Sequence, residues 1–278
     1  MPLALFAKRR LKKDIKELLT NEEEMAKTGI HTFVDENDIT NIYALIIGTE
    51  GTPYEGGFYF FLITIPDDYP IKPPKITFLS TASGVRIHPN LYTEGKVCLS
   101  IVNTWDGDGW SASYSVRTML MVIQCYVFVK YPLHNEPGYE KETESVGGTV
   151  DLYSRYVTYQ NIRVCVNDML EHLSTKLAPF RSVMNNHLRS HAQKYFKRIQ
   201  ELEKERQSLI VTCPAYSHAS QCITDYKAQY NRFVKYCATL GIVPDKLMKP
   251  DTDKVSIKIK KKAKAKTKIK AKTKTGEV

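Results

Sequence analysis

Two apolar runs, Ile42 to Ile47 and Phe58 to Ile65, flank the turn-forming stretch Gly48-Thr-Glu-Gly-Thr-Pro-Tyr-Glu-Gly-Gly57. Both runs are rich in Ile, Tyr and Phe, so they read as strands joined in a hairpin. Three prolines, Pro70, Pro73 and Pro74, then fall within five residues. They forbid a helix and weaken any ladder, which makes 67–75 a rigid extended loop before another strand at Ile76–Leu79. These connections are too short for crossover helices, so the expected solution is an antiparallel meander.

The chain has 278 residues, 42% of them hydrophobic, enough for a substantial core in one large or two modest domains. The formal charge of +10 is concentrated at one end. From Lys254 onward eleven lysines stand against one acid, Glu277, which leaves acidic and basic residues balanced over 1–253. The charge therefore does not imply a nucleic-acid-binding domain. In the tail, Lys alternates with Ile, Ala and Thr; like charges along one face of a strand repel, so disorder is expected there.

Residues 3–19 read as an amphipathic helix with Leu11, Ile15, Leu18 and Leu19 on one face and Lys8, Arg9, Lys12, Lys13 and Lys16 opposite. That basic face is either solvated or docks a partner. Ser115–Lys130 reads as a buried helix. From about 150 three helical stripes follow: Leu152, Tyr156, Tyr159, Ile162, Val166, Met169 and Leu173; then, opened by Pro179, Phe180, Val183, His187, His191, Tyr195, Ile199 and Leu202; then Ile223, Tyr226, Tyr230, Phe233, Cys237 and Leu240, ended by Gly241. The stripes read as core. His187 and His191 lack the glutamate of a His-Glu-x-x-His site and read as packing or surface residues.

The six cysteines form no Cys-x-x-Cys pair and no zinc-type spacing, so no metal site is expected, and free thiols in a reducing compartment are the simplest reading. No apolar signal block opens the chain, and the longest apolar run, Leu120–Val129, is too short to span a bilayer. A soluble intracellular protein with no membrane contact is expected.

The chemistry centres on His88-Pro89-Asn90-Leu91-Tyr92-Thr93-Glu94-Gly95-Lys96-Val97-Cys98. It places a thiol eight positions after an asparagine across a Gly-bearing turn. A thiol can carry an acyl group covalently, and an amide can donate to the oxyanion of the transfer. No histidine stands at a triad-like spacing to activate both thiol and water, so the stretch suits a carrier exchanging thioesters better than a hydrolase. An amine acceptor raises a further need, because a lysine is only about 0.04% neutral at pH 7. Glu136, in His134-Asn135-Glu136-Pro137-Gly138, is a candidate to orient that lysine, although spacing alone reads it first as a turn residue.

Taken in order, the basic first helix, Pro53-Tyr54-Glu55-Gly56-Gly57, Tyr69-Pro70-x-Lys72-Pro73-Pro74, His88-Pro89-Asn90, Gly95-x-Val97-Cys98-Leu99 and Trp110-Ser111 resemble the ubiquitin-conjugating enzyme family over about residues 5–140. The stretch from Cys98 to Trp110, the His134–Glu140 segment and, less firmly, Ile162–Met169 are similar to the larger, type Z-like members with a helical C-terminal extension. The resemblance implies an α+β fold, with a four-stranded antiparallel meander and flanking helices, followed by an all-helical extension. It divides the chain into a catalytic core at 1–148, the extension at 149–245 and the Lys-rich tail at 246–278.

It also implies that Cys98 receives ubiquitin as a thioester from an activating enzyme and passes it to a substrate lysine, usually with a ubiquitin ligase. Asn90 would stabilise the oxyanion, the loop around Cys98, or both, and Glu136 would help the incoming lysine. Lys8, Arg9, Lys12 and Lys13 would dock the activating enzyme, and Ile71 and Trp110 would meet ligases. No cofactor is implied. Ser100 stands where many members have aspartate and Ala112 where many have proline, and the Cys98–Trp110 loop is long and acidic. Other readings stay open: a different ubiquitin-like modifier, a non-catalytic ubiquitin-binding module (although inactive relatives typically lack the cysteine), and polyanion binding by the Lys tail.

Overall fold

A computed structural model describes residues 5–205, 210–211, 215–216 and 222–245. The described residues up to 242 belong to one compact unit; the Lys-rich tail expected to be disordered lies outside the described residues. Helices α1 (Leu5–Thr20) and α2 (Glu22–Lys27) lead into β1 (Ile30–Val34), β2 (Asn41–Ile47), β3 (Phe58–Thr64) and β4 (Lys75–Phe78). The four strands form an antiparallel meander in the order β1-β2-β3-β4, with Ile47 opposite Phe58 at the expected hairpin. Strand β1 and helix α2 escape the sequence pattern. In β1 only Ile30 is buried and the other four residues are half-exposed, so no alternation marks this edge strand.

Strands β2 and β3 read as unbroken apolar runs because the sheet is covered on both faces. Ile42, Ala44, Ile46, Tyr59, Phe61 and Ile63 join a core with Leu11 and Leu18 of α1 and with Met119, Leu120 and Ile123 of α3 (Val116–Val127). The alternate residues Tyr43, Leu45, Phe58 and Phe60 join a second core built by the C-terminal helices. Each fully buried side chain of this size contributes roughly 1.5–3 kcal/mol. Helix α3 is amphipathic rather than buried all round: Met121 and Tyr126 are exposed while Ile123 and Val127 are not. Ser115 caps it by accepting from the Thr118 amide at 3.3 Å.

Helix α4 (Thr149–Gln160) runs into a π-helical stretch, Asn161–Asp168, and the short α5 (Met169–Glu171). Of the stripe read from the sequence, Tyr156, Tyr159, Ile162 and Val166 are buried and Leu152 is exposed, while Val150, Tyr153 and Val157 are buried beside them. Buried amides hold this stretch. Tyr59 Oη donates to Asn161 Oδ1 at 2.6 Å, Asn161 Nδ2 donates to the Glu55 carbonyl at 3.0 Å, and Asn167 Nδ2 donates to the Gln229 carbonyl at 3.0 Å.

A 3-10 turn at Thr175–Phe180 precedes the long α6 (Arg181–Glu205), so Pro179 lies before that helix. Two-residue strands β5 (Ile210–Val211) and β6 (Cys222–Ile223) separate it from α7 (Tyr226–Thr239). Ile223 is therefore an exposed strand residue, and α7 starts after Asp225, whose carboxylate accepts from the Ala228 amide at 2.8 Å.

The extension docks on the β2–β3 hairpin through its glycines. A Cβ on Gly57 would lie 2.0 Å from Asn161 Oδ1, and one on Gly56 would lie 2.3 Å from Tyr195 Oη. The Tyr195 hydroxyl donates to the Gly56 carbonyl at 2.5 Å. Only a bare backbone lets the helices approach this closely. Among the described residues no helix is long and apolar enough to cross a membrane.

Candidate active site

Asn90 and Cys98 face each other across the turn that joins them. The Cys98 amide donates to the Asn90 carbonyl at 2.9 Å, and Asn90 Nδ2 donates back to the Cys98 carbonyl at 2.6 Å. Within the turn the Tyr92 amide donates to Lys96 at 2.9 Å and the Gly95 amide to Tyr92 at 3.0 Å. Gly95, with φ of +92°, is required here: a Cβ would lie 2.8 Å from the Phe78 carbonyl. Its own carbonyl accepts from the Phe78 amide at 2.8 Å, which fastens the turn to β4.

Three further side chains brace this turn. His88 is fully buried, and its Nδ1 accepts from the Asn90 amide at 2.9 Å, which places its proton on Nε2. Burial, with the Arg86 charge added, pushes the His88 pKa down to about 3, so the ring is neutral. Arg86, 5% exposed, donates to the His88 carbonyl at 3.1 Å and to the Pro89 carbonyl at 2.5 Å. Its guanidinium lies over the Tyr92 ring at 3.5 Å and the Tyr216 ring at 4.8 Å. On the Cys98 side, Thr104 Oγ1 accepts from the Leu99 amide at 2.9 Å and donates to the Val97 carbonyl at 2.8 Å. The thiol-bearing segment is thereby held from the loop that follows it.

Cys98 itself is 2% exposed. The next residue but one, Ser100, opens a short 3-10 turn against which Gly107 packs; a Cβ on Gly107 would lie 2.8 Å from that of Ser100. The long acidic loop thus folds back onto Ser100, two residues after the thiol. A thiol with an amide donor fixed to its own backbone suits acyl transfer: the amide carries a second N–H, the kind of donor that stabilises an oxyanion.

Glu136 ends the 3-10 turn Pro132–Asn135, half-buried, with its amide donating to the Leu133 carbonyl at 3.0 Å. Its Oε2 accepts from the Tyr216 hydroxyl. Lys8, Arg9, Lys12 and Lys13 are all exposed on α1, opposite the buried Ala7, Leu11 and Leu18. Ile71 is 71% exposed. Trp110 is half-buried: its Nε1 donates to the Pro70 carbonyl at 2.8 Å, and its ring lies 6.0 Å from that of Tyr69, so it is brought beside Ile71. Arg10 donates to the carbonyls of Ala112 and Tyr114, and Tyr69 donates to the buried Asp14. Helix α1 and the Ile71 and Trp110 loops are therefore cross-braced.

Among the described residues no group of His, Cys, Asp and Glu could hold a metal ion. A cavity of about 920 Å³ lies between α6, the hairpin tip and the end of α3, lined among others by His31, Cys125, Phe128, His187, His191 and Tyr195. Cys98, Asn90 and Glu136 are not among its walls. His187 and His191 stack there at 4.2 Å and 11°, so they are packing residues at a cavity wall.

Arg86, Thr104 and Tyr216 carry no sequence signal of their part in the site. Arg86 and Thr104 lie close to the motif yet have no spacing that marks a role. Tyr216 follows Glu136 by 80 positions, and only the return of the chain from the extension brings them together.

The family model for ubiquitin-conjugating enzymes matches residues 10–158, a stretch that contains Asn90, Cys98 and Glu136. "Ubiquitin-conjugating enzyme E2 Z" of Xenopus tropicalis is 42% identical over 176 residues, covering 63% of this chain and 54% of that protein. Its human counterpart is 40% identical, covering 63% and 48%. The chain thus spans about half the length of these two relatives. Among solved structures, human ubiquitin-conjugating enzyme E2 G1 is similar at 32% identity over 41% of this chain and 88% of that one, with a TM-score of 0.36. With more than half of its length matched, the chain belongs to the ubiquitin-conjugating enzyme family.

Proposed function

We propose that this protein is an acyltransferase that carries ubiquitin on Cys98 and delivers it to a lysine of a substrate protein. The observation that carries the reading is the reciprocal hydrogen bonding of Asn90 and Cys98. In the first step the Cys98 thiolate attacks the thioester carbonyl of ubiquitin's C-terminal glycine and expels the thiolate of the activating enzyme. One thioester replaces another, so no strong base is needed. In the second step a lysine amine attacks the new thioester, the carbonyl oxygen takes up negative charge, and the Cys98 thiolate leaves as the isopeptide bond forms.

Asn90 contributes to both features of that step. One N–H holds the Cys98 carbonyl, and the other serves the oxyanion. The lysine must shed a proton, and Glu136 orients its ammonium for that loss. The exposed cations Lys8, Arg9, Lys12 and Lys13 dock the activating enzyme, and Ile71 with the Trp110 loop meets a ligase. Residues 1–148 act as the catalytic core and 149–245 as the extension, and the tail at 246–278 binds polyanions by charge alone. An intracellular setting, where the activating enzyme and ATP are available, fits this chemistry.

The test is charging in vitro. Incubated with activating enzyme, ubiquitin and ATP, the protein gains a mass shift on a non-reducing gel that thiol reagents remove. Cys98→Ser traps a thiol-resistant oxyester, and Cys98→Ala gives no adduct. An uncharged parent protein, under conditions that charge a control enzyme, rejects ubiquitin as the cargo; repeating the assay with other ubiquitin-like proteins then separates a different modifier from a non-catalytic module.

A further inference from the structure

Tyr216 belongs to the segment between α6 and α7, yet it is 8% exposed and joins the core that contains α1 and α3. Its two ends do different things. The hydroxyl donates to Glu136 Oε2. The ring lies 4.8 Å from the Arg86 guanidinium and meets Tyr153 edge-on at 6.2 Å and 68°. Tyr153 in turn donates from its hydroxyl to the Arg86 carbonyl at 3.2 Å. Arg86 holds the His88 and Pro89 carbonyls, which lead directly into Asn90. A single phenol therefore links the carboxylate proposed to receive the lysine with the turn that carries the amide donor.

We propose that Tyr216 is a positioning residue for the transfer step, through which the helical extension completes the lysine side of a site whose thiol lies in the core. The proposal rests on the roles of Cys98, Asn90 and Glu136 given above. The Glu136 backbone is fixed by its bond to Leu133, but its side chain has three rotatable bonds and sits beside Pro137 and Gly138 at the surface. Without a partner the carboxylate samples many positions, and only some face an incoming amine. A hydrogen bond from a neutral phenol to a charged carboxylate is strong enough to select one. It occupies Oε2 and leaves Oε1 to accept from the lysine ammonium. Tyr216 touches neither substrate nor thiol in this scheme, so its effect passes entirely through Glu136 and, by way of its ring, through Arg86.

The experiment is single-turnover discharge of the full-length protein, charged with ubiquitin and freed of activating enzyme activity, so that differences in loading drop out. Two nucleophiles are compared: free lysine, which must lose a proton to react, and hydroxylamine, which is already neutral at pH 7. Tyr216→Phe keeps the ring over Arg86 and removes only the hydroxyl. It is expected to slow lysine discharge about tenfold, a part of the 10²–10⁴ that an oriented acid or base supplies, and to leave hydroxylamine discharge unchanged. In a Glu136→Gln background the same substitution is expected to add nothing.

Three results overturn the proposal. One is parental lysine discharge by Tyr216→Phe when Glu136→Gln is slow. Another is equal slowing with both nucleophiles, which marks a merely structural role. The third is slowing that multiplies with that of Glu136→Gln. Parental discharge by Glu136→Gln itself rejects the underlying role of Glu136, and failure to charge with ubiquitin rejects the carrier reading; either removes this proposal as well. Glu136→Asp guards against poor folding of the tyrosine variant. It retains the charge but draws the carboxylate back from the phenol, and it is expected to show the same lysine-selective loss; parental discharge by Glu136→Asp counts against positioning.

Discussion

The Asn90 side chain donates to the Cys98 carbonyl at 2.6 Å, while the Cys98 amide donates to the Asn90 carbonyl at 2.9 Å. One asparagine thereby closes both ends of the turn that presents the thiol. Holding the loop and stabilising an oxyanion are not alternatives for this residue, because its amide has two N–H groups and the loop takes one.

Asn90→Ala is therefore expected to show two separable losses. The Cys98 carbonyl loses its donor, which lowers unfolding free energy by roughly 1–3 kcal/mol in urea titration. Discharge of the charged enzyme to lysine falls by about 10²–10³. Parental stability with slow discharge would leave only the catalytic role, and the reverse only the structural one.

Thr104 predicts a hydroxyl-specific effect. Thr104→Val removes the acceptor for the Leu99 amide and the donor for the Val97 carbonyl on either side of Cys98. It is expected to cost about 1–3 kcal/mol and to slow charging, whereas Thr104→Ser retains most of both. Equal behaviour of the two variants in a thermal melt and a charging time course counts against the brace.

Gly57 tests how the extension is seated. Gly57→Ala puts a methyl group into Asn161 Oδ1 and the Tyr59 ring. The clash is expected to cost about 1–3 kcal/mol and to speed limited proteolysis within 149–205. An unchanged cleavage pattern argues against close docking at the hairpin tip.

Acid is expected to weaken the fold through the buried His88 and the half-buried His187. Desolvation first, then the neighbouring His191 and His31, pushes His187 down to about 4, and His88 lies near 3. Between pH 6.5 and about 4 the unfolded chain binds protons at these sites and the folded chain does not, so stability falls as the pH falls through that window. Urea midpoints at pH 7.5 and 5.0 should differ accordingly. His187→Phe, which keeps an aromatic ring at the stack with His191, should reduce the difference; an unchanged difference excludes His187 as a contributor.

The tail makes a prediction that needs no structure. Removing 254–278 deletes eleven lysines, and retention on heparin is expected to collapse while thioester formation persists. The salt dependence of the full chain should be steep and that of the shortened chain shallow. Equal retention of the two chains assigns the binding elsewhere.

The meander and the turn that brings Asn90 to Cys98 were legible in the sequence because both depend on neighbours in the chain. Short connections between apolar runs permit only antiparallel pairing, and eight residues with a glycine at 95 suffice to bring Asn90 back to Cys98. The ordered motifs also carried the family. Edge strand β1 was not legible, since half-exposed residues leave no alternation, and neither was the π-helical turn at Asn161–Asp168, since a 3.6-residue period cannot register a wider turn.

The partners of the site depended on the tertiary structure alone. Arg86 was one charge among many until the fold stripped it of water between Tyr92 and Tyr216 and aimed it at the His88 and Pro89 carbonyls. Spacing alone read Glu136 as a turn residue, and nothing in the sequence pointed to Tyr216 as its partner. Local pattern records what a residue does for its own segment; which distant side chain arrives beside it is set by how the two cores pack on opposite faces of one sheet.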